Sequence, residues 1–371
     1  MRVVIGTGGT AGHIYPALSV ARVLRDRLQA DVLFVGRAEG QEARLVPQAG
    51  FPLEPVAALP FRRRLSVDTV RAPVAALRAA RASRRVVRGA DAVLGMGGYV
   101  SVPVSLAARR ERVPLVVHEQ NAAPGLANRV AARWARAVAL SFAEAARRFP
   151  RRCRTEVTGN PVREAVVRAR EDRAALAEEG LRVLELEEGR RTIAVYGGSQ
   201  GALRLDQAAV RLSTILRDRS DLQVLVITGL AHHQAVRDHL PAVGRLVVRT
   251  AAFVDRMELV HAVADVAVAR AGAGTIAELS VCGVPSILVP YPYATGRHQE
   301  ANARALQRLG GARMIPDDEA TGDRLAEVLG ELLEDPRSLE DMAAAARAFG
   351  RPDAADALAE LTVSVAKEGR R

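Results

Sequence analysis

The fold is decided by a stretch at the start of the chain, VVIGTGGTAGH at residues 3–13. A short apolar run leads into glycines and then into an apolar pattern of helical spacing, which predicts a strand, a tight turn and a helix. The same order returns in AVYGGSQG at residues 194–201. Two such units in one chain predict two similar α/β domains, each with a parallel sheet covered by helices on both faces.

Outward from these two stretches, the chain continues to alternate strands and helices. Apolar runs predict buried strands at 2–5, 31–35, 92–94, 115–117, 192–196, 222–228, 265–269 and 286–289. We expect two Rossmann-like, doubly wound domains, residues 1–161 and 162–349, with a terminal helix from about residue 350 crossing back to the first. Because ligands of open α/β sheets bind beyond the carboxyl ends of the strands, two such domains facing each other predict a site in the cleft between them.

Length and composition exclude several classes of protein. A chain of 371 residues favours two domains, and 49% hydrophobic with 26% charged residues is ordinary for a globular protein. Disordered, collagen-like and coiled-coil proteins are therefore excluded. The two cysteines, Cys153 and Cys282, provide no disulfide framework and favour a reducing compartment. We expect no signal peptide before the first strand, and no apolar run is long enough for a membrane span.

The net charge of +11 is unevenly distributed. Residues 1–160 carry 26 basic and 11 acidic side chains, a net charge of +15, and the other 211 residues have a net charge of −4. Nine arginines between residues 62 and 88, with Val74 and Leu77 at helical spacing, are typical of a helix on an anionic membrane surface. They equally fit a core-facing helix with a solvated arginine face. Nucleic-acid binding is a third interpretation, weakened by an aromatic content of 4% and the lack of a known nucleic-acid motif.

Two glycine-rich turns in the second half are candidate anion sites. In GGSQG at 197–201, backbone N–H groups can approach a phosphate at a helix N-terminus, although Ser199 also fits a plain helix cap. The second turn, RAGAGTIAE at 270–278, contains Thr275 and Glu278, which fit a capping box. Alternatively, the Glu278 carboxylate accepts hydrogen bonds from the two hydroxyls of a ribose.

His13 is the candidate general base. It stands at a helix N-terminus, which disfavours imidazolium, so we expect a neutral ring that is able to accept a proton. A purely structural histidine is the alternative, just as Arg163 is either a diphosphate partner or a surface arginine. The histidines lack metal-ligand spacing and no Asp-x-Asp pair occurs, so we expect no metal ion and no cofactor.

Two unrelated classes of protein fit parts of this pattern. GTGGTA at residues 6–11 satisfies the dinucleotide fingerprint G-x-G-x-x-G/A, and Arg37 after the second strand suits the 2′-phosphate of NADP. An oxidoreductase of this kind leaves the glycine turns of the second half without a role. The other class is a non-catalytic protein that binds a membrane or a nucleic acid through its arginines.

Seven motifs follow one another in a fixed order: GGTAGH at 8–13, GMGGY at 95–99, HEQN at 118–121, GNPVR at 159–163, GGSQGA at 197–202, FVDRM at 253–257 and RAGAGTIAE at 270–278. Together they resemble glycosyltransferase family 28, in particular the N-acetylglucosaminyltransferases of peptidoglycan synthesis. The resemblance runs from about residue 2 to the terminal helix. It implies a two-domain GT-B fold and the transfer of GlcNAc from UDP-GlcNAc to lipid I, with inversion and without a metal.

The resemblance also implies where the protein works and which residues bind its substrates. It implies a peripheral protein on the anionic cytoplasmic face of the bacterial membrane, with the membrane-facing patch near Val74 and Leu77, proteins of cell-wall synthesis as partners and no nucleic acid. His13 is the base that it suggests. To UDP-GlcNAc it assigns Thr10, Ala11, Gly12, Asn121, Arg163, Ser199, Val254, Ala273, Gly274, Thr275, Ile276, Ala277, Glu278, Gln299 and Asn302. To the acceptor it assigns Gly98, Tyr99, His118 and Glu119.

Three departures from the family pattern bear on these assignments. Ala11 replaces a glycine, which raises the question of whether a left-handed backbone is needed there. His298 replaces a glutamine beside the sugar-binding Gln299. Val74 and Leu77 replace bulkier aromatic residues, which shifts the weight of membrane binding from apolar contact to charge.

Overall fold

The computed structural model describes residues 1–56, 78–198, 201–240 and 244–369. Its contacts divide the chain into an N-terminal unit, Met1–Arg163 with Arg351–Arg371, and a C-terminal unit, Glu164–Gly350. Each unit contains one parallel sheet covered by helices. The predicted fold class, two doubly wound α/β domains, is thus confirmed.

The sheet of the N-terminal unit has seven described strands. They are β1 Arg2–Gly6, β2 Asp31–Gly36, β3 Leu53–Pro55, β4 Ala92–Gly95, β5 Leu115–Glu119, β6 Ala137–Leu140 and β7 Thr155–Val157. The strands are all parallel and lie in the order β3-β2-β1-β4-β5-β6-β7. The strand order reverses between β1 and β4, where Gly6 lies opposite Gly95. The turns after these two strands therefore emerge side by side at the switch point, where open α/β sheets bind ligands.

Helices cover both faces of this sheet. The described ones are α1 Ala11–Arg22 (continued by a π-helical turn, Val23–Arg27), α2 Glu42–Gln48, α3 over residues 78–87, α4 Ser101–Glu111 and α5 Leu126–Ala131. Alternate residues of β1 enter opposite cores, since Val3 and Ile5 pack in the cluster with α1 whereas Val4 packs in the cluster with Val104 of α4. A strand buried on both faces is apolar throughout, which is why its sequence shows an unbroken apolar run.

The sheet of the C-terminal unit has six described strands. They are β8 Arg191–Tyr196, β9 Leu222–Ile227, β10 Val247–Ala251, β11 Ala264–Ala269, β12 Ser286–Leu288 and β13 Ala312–Met314. They are parallel in the order β10-β9-β8-β11-β12-β13, so the order reverses between β8 and β11. The helices are α6 Glu164–Glu171, α7 Arg173–Val183, α8 Leu203–Ile215, α9 His233–His239, α10 Met257–Val263, α11 Ala273–Cys282, α12 His298–Arg308, α13 Gly322–Glu334 and α14 Pro336–Phe349.

The last helix, α15 at Ala354–Gly369, belongs to the N-terminal unit. Leu358, Leu361 and Val365 are buried in the same apolar cluster as Val3 and Ile5. An ion pair between Arg27 and Asp356 joins α15 to the end of α1. Burial of three aliphatic side chains of this size contributes several kcal/mol and holds the end of the chain in the N-terminal core.

The arginine-rich segment is described only in part. Val74, Leu77 and the arginines from 62 to 71 lie outside the described residues. In α3, the apolar side chains of Ala79, Val86 and Val87 are buried, whereas Arg81 and Arg85 are exposed. The described part thus fits a core-facing helix with a solvated arginine face. Over the described ranges, no helix is both long and apolar enough to cross a membrane.

Candidate active site

Two glycine turns form the switch point of the N-terminal unit. Gly8 and Gly98, which follow β1 and β4, have φ values of 156° and 73°. A Cβ on Gly98 would lie 2.7 Å from the carbonyl oxygen of Gly8, so a side chain there would force the two turns apart. Ala11 begins α1 and is not among the residues with positive φ. The alanine at this position is therefore accommodated without backbone strain.

His13 is the third residue of α1, and both of its ring nitrogens are engaged. Nδ1 lies 3.1 Å from Oγ1 of Thr10, and Nε2 lies 3.0 Å from the side-chain nitrogen of Gln120. As placed, the amide of Gln120 donates to Nε2, which leaves the ring proton on Nδ1 for donation to Thr10. The lone pair on Nε2 is thus the proton-accepting position of the ring.

Glu119 holds the loop that follows β5. Its carboxylate accepts hydrogen bonds from the backbone N–H groups of Asn121 and Gly125, both at 3.0 Å, and from Nδ2 of Asn128 at 2.9 Å. Its side chain is buried, and burial raises the pKa of the carboxyl group, with these donors acting in the opposite direction. Glu119 is one of the predicted acceptor-side residues, and it bears on the site through the loop that carries Asn121.

His118, also predicted on the acceptor side, is only 1% exposed. Its Nε2 lies 3.1 Å from the carbonyl oxygen of Gly159 and 3.3 Å from Oγ of Ser141. Burial lowers the pKa of His118 to about 4, while the bond to Gly159 acts in the opposite direction. A neutral imidazole therefore joins the end of β5 to the segment after β7.

The remaining predicted residues of this unit lie around the same edge. The guanidinium of Arg37 donates to the hydroxyl of Tyr99 at 2.9 Å, so this arginine is engaged with the protein itself. The guanidinium of Arg163 lies over the ring of Tyr15, 5.4 Å from its centroid. Tyr15 is on α1, so this contact joins Arg163 to the helix that carries His13.

In the C-terminal unit, the turn after β8 is the first candidate anion site. Ser199 and Gln200 lie outside the described residues. Gly201 has a φ of 75°, and a Cβ there would lie 2.3 Å from the carbonyl oxygen of Thr228. The turn thus packs against the end of β9, an approach that only glycine permits. Helix α8 begins at Leu203 with Ala202 at its N-cap position.

The second candidate anion site is the N-terminus of α11. The helix begins at Ala273 with Gly272 at the N-cap position, so Glu278 is its sixth residue. The capping-box alternative needs the glutamate at the third position and is therefore wrong. Apart from its two chain neighbours and the backbone of the helix itself, no described atom lies within 4 Å of a Cβ built on Gly274, so there is space for a ligand at the first turn. Its free backbone N–H groups and helix dipole favour an anion there.

The predicted sugar-side residues hold neighbouring segments together. Asn302 of α12 is fully buried and donates from Nδ2 to the carbonyl oxygen of Ala271 at 3.3 Å, next to the turn that precedes α11. Oε1 of Gln299 accepts from the backbone N–H of Tyr291 at 2.9 Å. His298 bonds locally, from Nδ1 to the carbonyl oxygen of Thr295 at 2.8 Å, and begins α12 beside Gln299.

Glu278 lies within α11, and Val254 lies in the loop between β10 and α10. Glu278 is partly exposed, and its Oε2 lies 3.3 Å from Nε2 of the buried His261. The structure places Val254, the α11 residues and the start of α12 after the carboxyl ends of strands of one sheet. These predicted donor-binding residues therefore share the edge at which α/β sheets bind ligands.

Sequence reasoning missed three residues that shape the two edges. Gln120 bonds to His13, Asn128 bonds to Glu119, and His261 bonds to Glu278. The motif HEQN at residues 118–121 contains Gln120 and could have indicated a role for it. Nothing in the sequence connects His261 to Glu278. Within the described ranges, no group of three or more His, Cys, Asp or Glu side chains is arranged to hold a metal ion.

Comparison with known proteins covers both units. The family model for the glycosyltransferase family 28 N-terminal domain matches residues 3–140, and the model for the family 28 C-terminal domain matches residues 192–358. A UDP-N-acetylglucosamine–N-acetylmuramyl-(pentapeptide) pyrophosphoryl-undecaprenol N-acetylglucosamine transferase of Halothermothrix orenii is 40% identical, with 99% of this chain and 100% of the relative covered. The Moorella thermoacetica protein of the same name is also 40% identical, with 100% of both chains covered.

A solved structure is similar over the same length. The crystal structure of Acinetobacter baumannii MurG has a TM-score of 0.80 and 27% sequence identity, and the match covers 98% of this chain and 99% of that one. The similarity in sequence and in fold thus extends over essentially the whole chain.

Proposed function

The chain belongs to glycosyltransferase family 28, and on that basis we propose that it transfers GlcNAc from UDP-GlcNAc to the 4-hydroxyl of MurNAc in lipid I, forming lipid II for peptidoglycan synthesis. The observation that carries this conclusion is identity of 40% over the full length to relatives named for this reaction. The matched region of this chain includes both units and all seven motif positions. The NADP and non-catalytic alternatives account for only parts of the chain.

The C-terminal unit supplies the groups for the donor. We assign the diphosphate to the turn containing Ser199 and to the open first turn of α11 at Gly274, where N–H groups and the helix dipole meet negative charge. Glu278 accepts from the ribose hydroxyls, the backbone at Val254 faces the uracil, and Gln299 contacts the GlcNAc hydroxyls.

The N-terminal unit supplies the base. The acceptor hydroxyl attacks the anomeric carbon, the bond from that carbon to the UDP oxygen breaks, and His13 takes the hydroxyl proton. Because Nδ1 is directed at Thr10, Nε2 is the atom that accepts the proton, and Gln120 yields its hydrogen bond to the acceptor hydroxyl. A single displacement inverts the configuration, so an α-linked donor gives a β-linked product.

The departing UDP carries negative charge that must be neutralised in the transition state. We assign this role to the positive charge of Arg163, the hydroxyl of Ser199 and the dipole at the N-terminus of α11. These groups provide neutralisation without requiring a metal ion.

We also propose that the protein works as a peripheral protein at the cytoplasmic face of the membrane, where its lipid-linked acceptor resides. Residues 1–160 have a net charge of +15, which favours an anionic surface. Vesicles containing anionic lipid should bind the full-length protein in low salt and release it in high salt, since surface attraction is screened.

The decisive experiment measures UDP release from UDP-GlcNAc with a short-chain lipid I analogue as acceptor. We expect turnover with the acceptor, little without it, and the same rate in EDTA. The product linkage is read by NMR and should be β. Lack of transfer to the analogue would contradict the proposed function, whereas activity that is lost in EDTA and restored by a divalent ion would contradict only the metal-free mechanism.

A binding control separates this function from the oxidoreductase alternative. UDP should raise the melting temperature of the protein by binding the folded state, and NADPH should not. A shift with NADPH and none with UDP would favour the dinucleotide interpretation of residues 6–11.

A further inference from the structure

The imidazole of His261 is buried within the C-terminal unit and is only 1% exposed. It lies on α10, whose other buried residues are Leu259, Val260, Ala262, Val263 and Glu258, the last paired with Arg256. A buried polar ring loses its hydration, so it destabilises the fold unless its nitrogens find partners. A leucine or phenylalanine would fill the same space without that cost.

The hydrogen bonds of His261 indicate what the ring does. Its Nε2 lies 3.3 Å from Oε2 of Glu278 on α11, and its Nδ1 has no hydrogen-bond partner among the described residues. Because an ionised carboxylate only accepts, Nε2 carries the proton and donates it to Glu278. The polar character of the residue therefore serves the contact with Glu278.

A third element fixes the ring in place. The ring of Tyr196, at the end of β8, meets the imidazole edge-on, with centroids 6.3 Å apart and planes at 62°. Tyr196 is also buried, and burial together with the nearby Glu278 carboxylate raises its pKa well above the ordinary value. The imidazole thus cannot turn away easily, and its N–H remains directed at one carboxylate oxygen.

We propose that His261 is a positioning residue for UDP recognition: it holds the carboxylate of Glu278 in the orientation that accepts the two ribose hydroxyls. The inference rests on the proposed function, which gives Glu278 its ribose partner. A glutamate side chain has three rotatable bonds, and fixing it before the ligand arrives reduces the entropy lost on binding. His261 itself is buried, so it acts on the nucleotide only through Glu278.

The test compares the binding of UDP with that of 2′-deoxy-UDP, by calorimetry and without acceptor. In the wild type, the missing hydroxyl should weaken binding because Glu278 loses one of its two donors. His261→Phe keeps a ring against Tyr196 but removes the N–H. It should weaken UDP binding by about fivefold to thirtyfold, a smaller loss than removal of a hydrogen bond to a charged group because Glu278 is still present, and bring the affinities for the two nucleotides close together.

Two further variants keep the test decisive if the phenylalanine variant does not fold. The side-chain amide of His261→Gln can place its nitrogen near the position of Nε2, whereas that of His261→Asn falls short by one methylene. The glutamine variant should retain the preference for UDP over 2′-deoxy-UDP, and the asparagine variant should lose it. His239→Gln, at an exposed position on α9, is the matched control and should bind both nucleotides as the wild type does.

A double-mutant cycle completes the experiment. When Glu278 is already replaced by alanine, His261→Phe should have no further effect on UDP affinity, because coupled residues are non-additive. The proposal is overturned if the folded His261→Phe and His261→Asn variants keep the wild-type preference for UDP, or if the effect of His261→Phe adds to that of Glu278→Ala. None of these measurements uses lipid I. A failure of the proposed transfer reaction can therefore be distinguished from a failure of His261 to position Glu278 for the ribose.

Discussion

The carboxyl edges of the two sheets share a topology but present different chemistry. In the N-terminal unit the edge is rich in side chains bonded to one another: His13 to Thr10 and Gln120, and Glu119 to the loop that follows it. In the C-terminal unit the first turn of α11 is open, with no described atom close to a side chain added at Gly274. In the proposed function, one edge supplies the proton acceptor and the other presents backbone N–H groups to the diphosphate.

Under the proposed function, the difference between the two edges follows from what each substrate requires. A diphosphate is recognised by dipoles and N–H groups that glycine leaves accessible, so small residues at a helix N-terminus are sufficient. A general base must be held in one tautomer and one orientation, which a hydrogen-bond partner on the non-reacting ring nitrogen achieves. The comparison predicts that changes at the N-terminal edge affect the chemical step, whereas changes at the C-terminal edge affect donor affinity.

The largest effect is expected from His13→Ala. Loss of a general base should reduce kcat by about 10²–10⁴ while UDP affinity stays near that of the wild type. Glu278→Ala should show the reverse pattern, with UDP affinity about tenfold to hundredfold weaker because hydrogen bonds to a charged group are lost. Steady-state kinetics combined with calorimetry of UDP binding distinguishes the two. Turnover of His13→Ala within a few-fold of the wild type would remove this residue as the base.

A smaller effect concerns acid stability, which should depend on His118 in the N-terminal unit. Its pKa is about 4 in the folded protein and near 6.5 when exposed, so the unfolded state takes up a proton first as the pH falls. The contribution of the neutral ring to the free energy of unfolding is fully present above pH 6.5 and is lost as the pH falls from there to 4. The loss is about 2 kcal/mol at about pH 5.

The measurement uses the single tryptophan, Trp134, which lies in the N-terminal unit. Urea unfolding followed by its fluorescence at about pH 7.5 and about pH 5 should show a larger loss for the wild type than for His118→Gln. Both proteins retain Glu119, so the comparison also controls for this carboxyl group. Its raised pKa favours the folded state at lower pH, which is opposite to the effect of His118. Equal losses in both proteins would contradict the assignment to His118.

The smallest effect compares two threonines at helix starts. Oγ1 of Thr321 accepts from the backbone N–H of Arg324 at 3.2 Å and caps α13, so Thr321→Ala should lower the free energy of unfolding by about 1 kcal/mol without altering kcat. Thr10 stands at the N-cap of α1, but its hydroxyl bonds to His13 and makes no capping bond to a backbone N–H group of the described residues.

Thr10→Ala should therefore lower kcat severalfold while the free energy of unfolding changes by less than about 0.5 kcal/mol. Thr10→Ser keeps the hydroxyl and should retain the wild-type rate. An equal loss of rate in the serine and alanine variants would show that the Thr10 hydroxyl does not orient His13.

The two-domain α/β fold was predictable because buried parallel strands leave continuous apolar runs, as in β1 and β9. The edge strands β3 and β7 left no such run, since each has one half-buried residue followed by two exposed ones. Their existence depends on hydrogen bonds to a neighbouring strand, which local sequence does not encode. The capping-box interpretation of Thr275 and Glu278 was wrong because it required Thr275 to be the N-cap of α11, three residues beyond Gly272, the actual N-cap.

By itself, the sequence determined the elements and the motifs, because strand and helix periodicity and the glycine requirement of tight turns are local properties. It also indicated the family, through the order of seven motifs. Only the tertiary structure decided which side chains meet: Gln120 reaches His13 across 107 positions of the chain, and His261 reaches Glu278 from another helix. The physical reason is the parallel sheet, which brings the carboxyl ends of distant strands to one edge and leaves packing to select the contacts there.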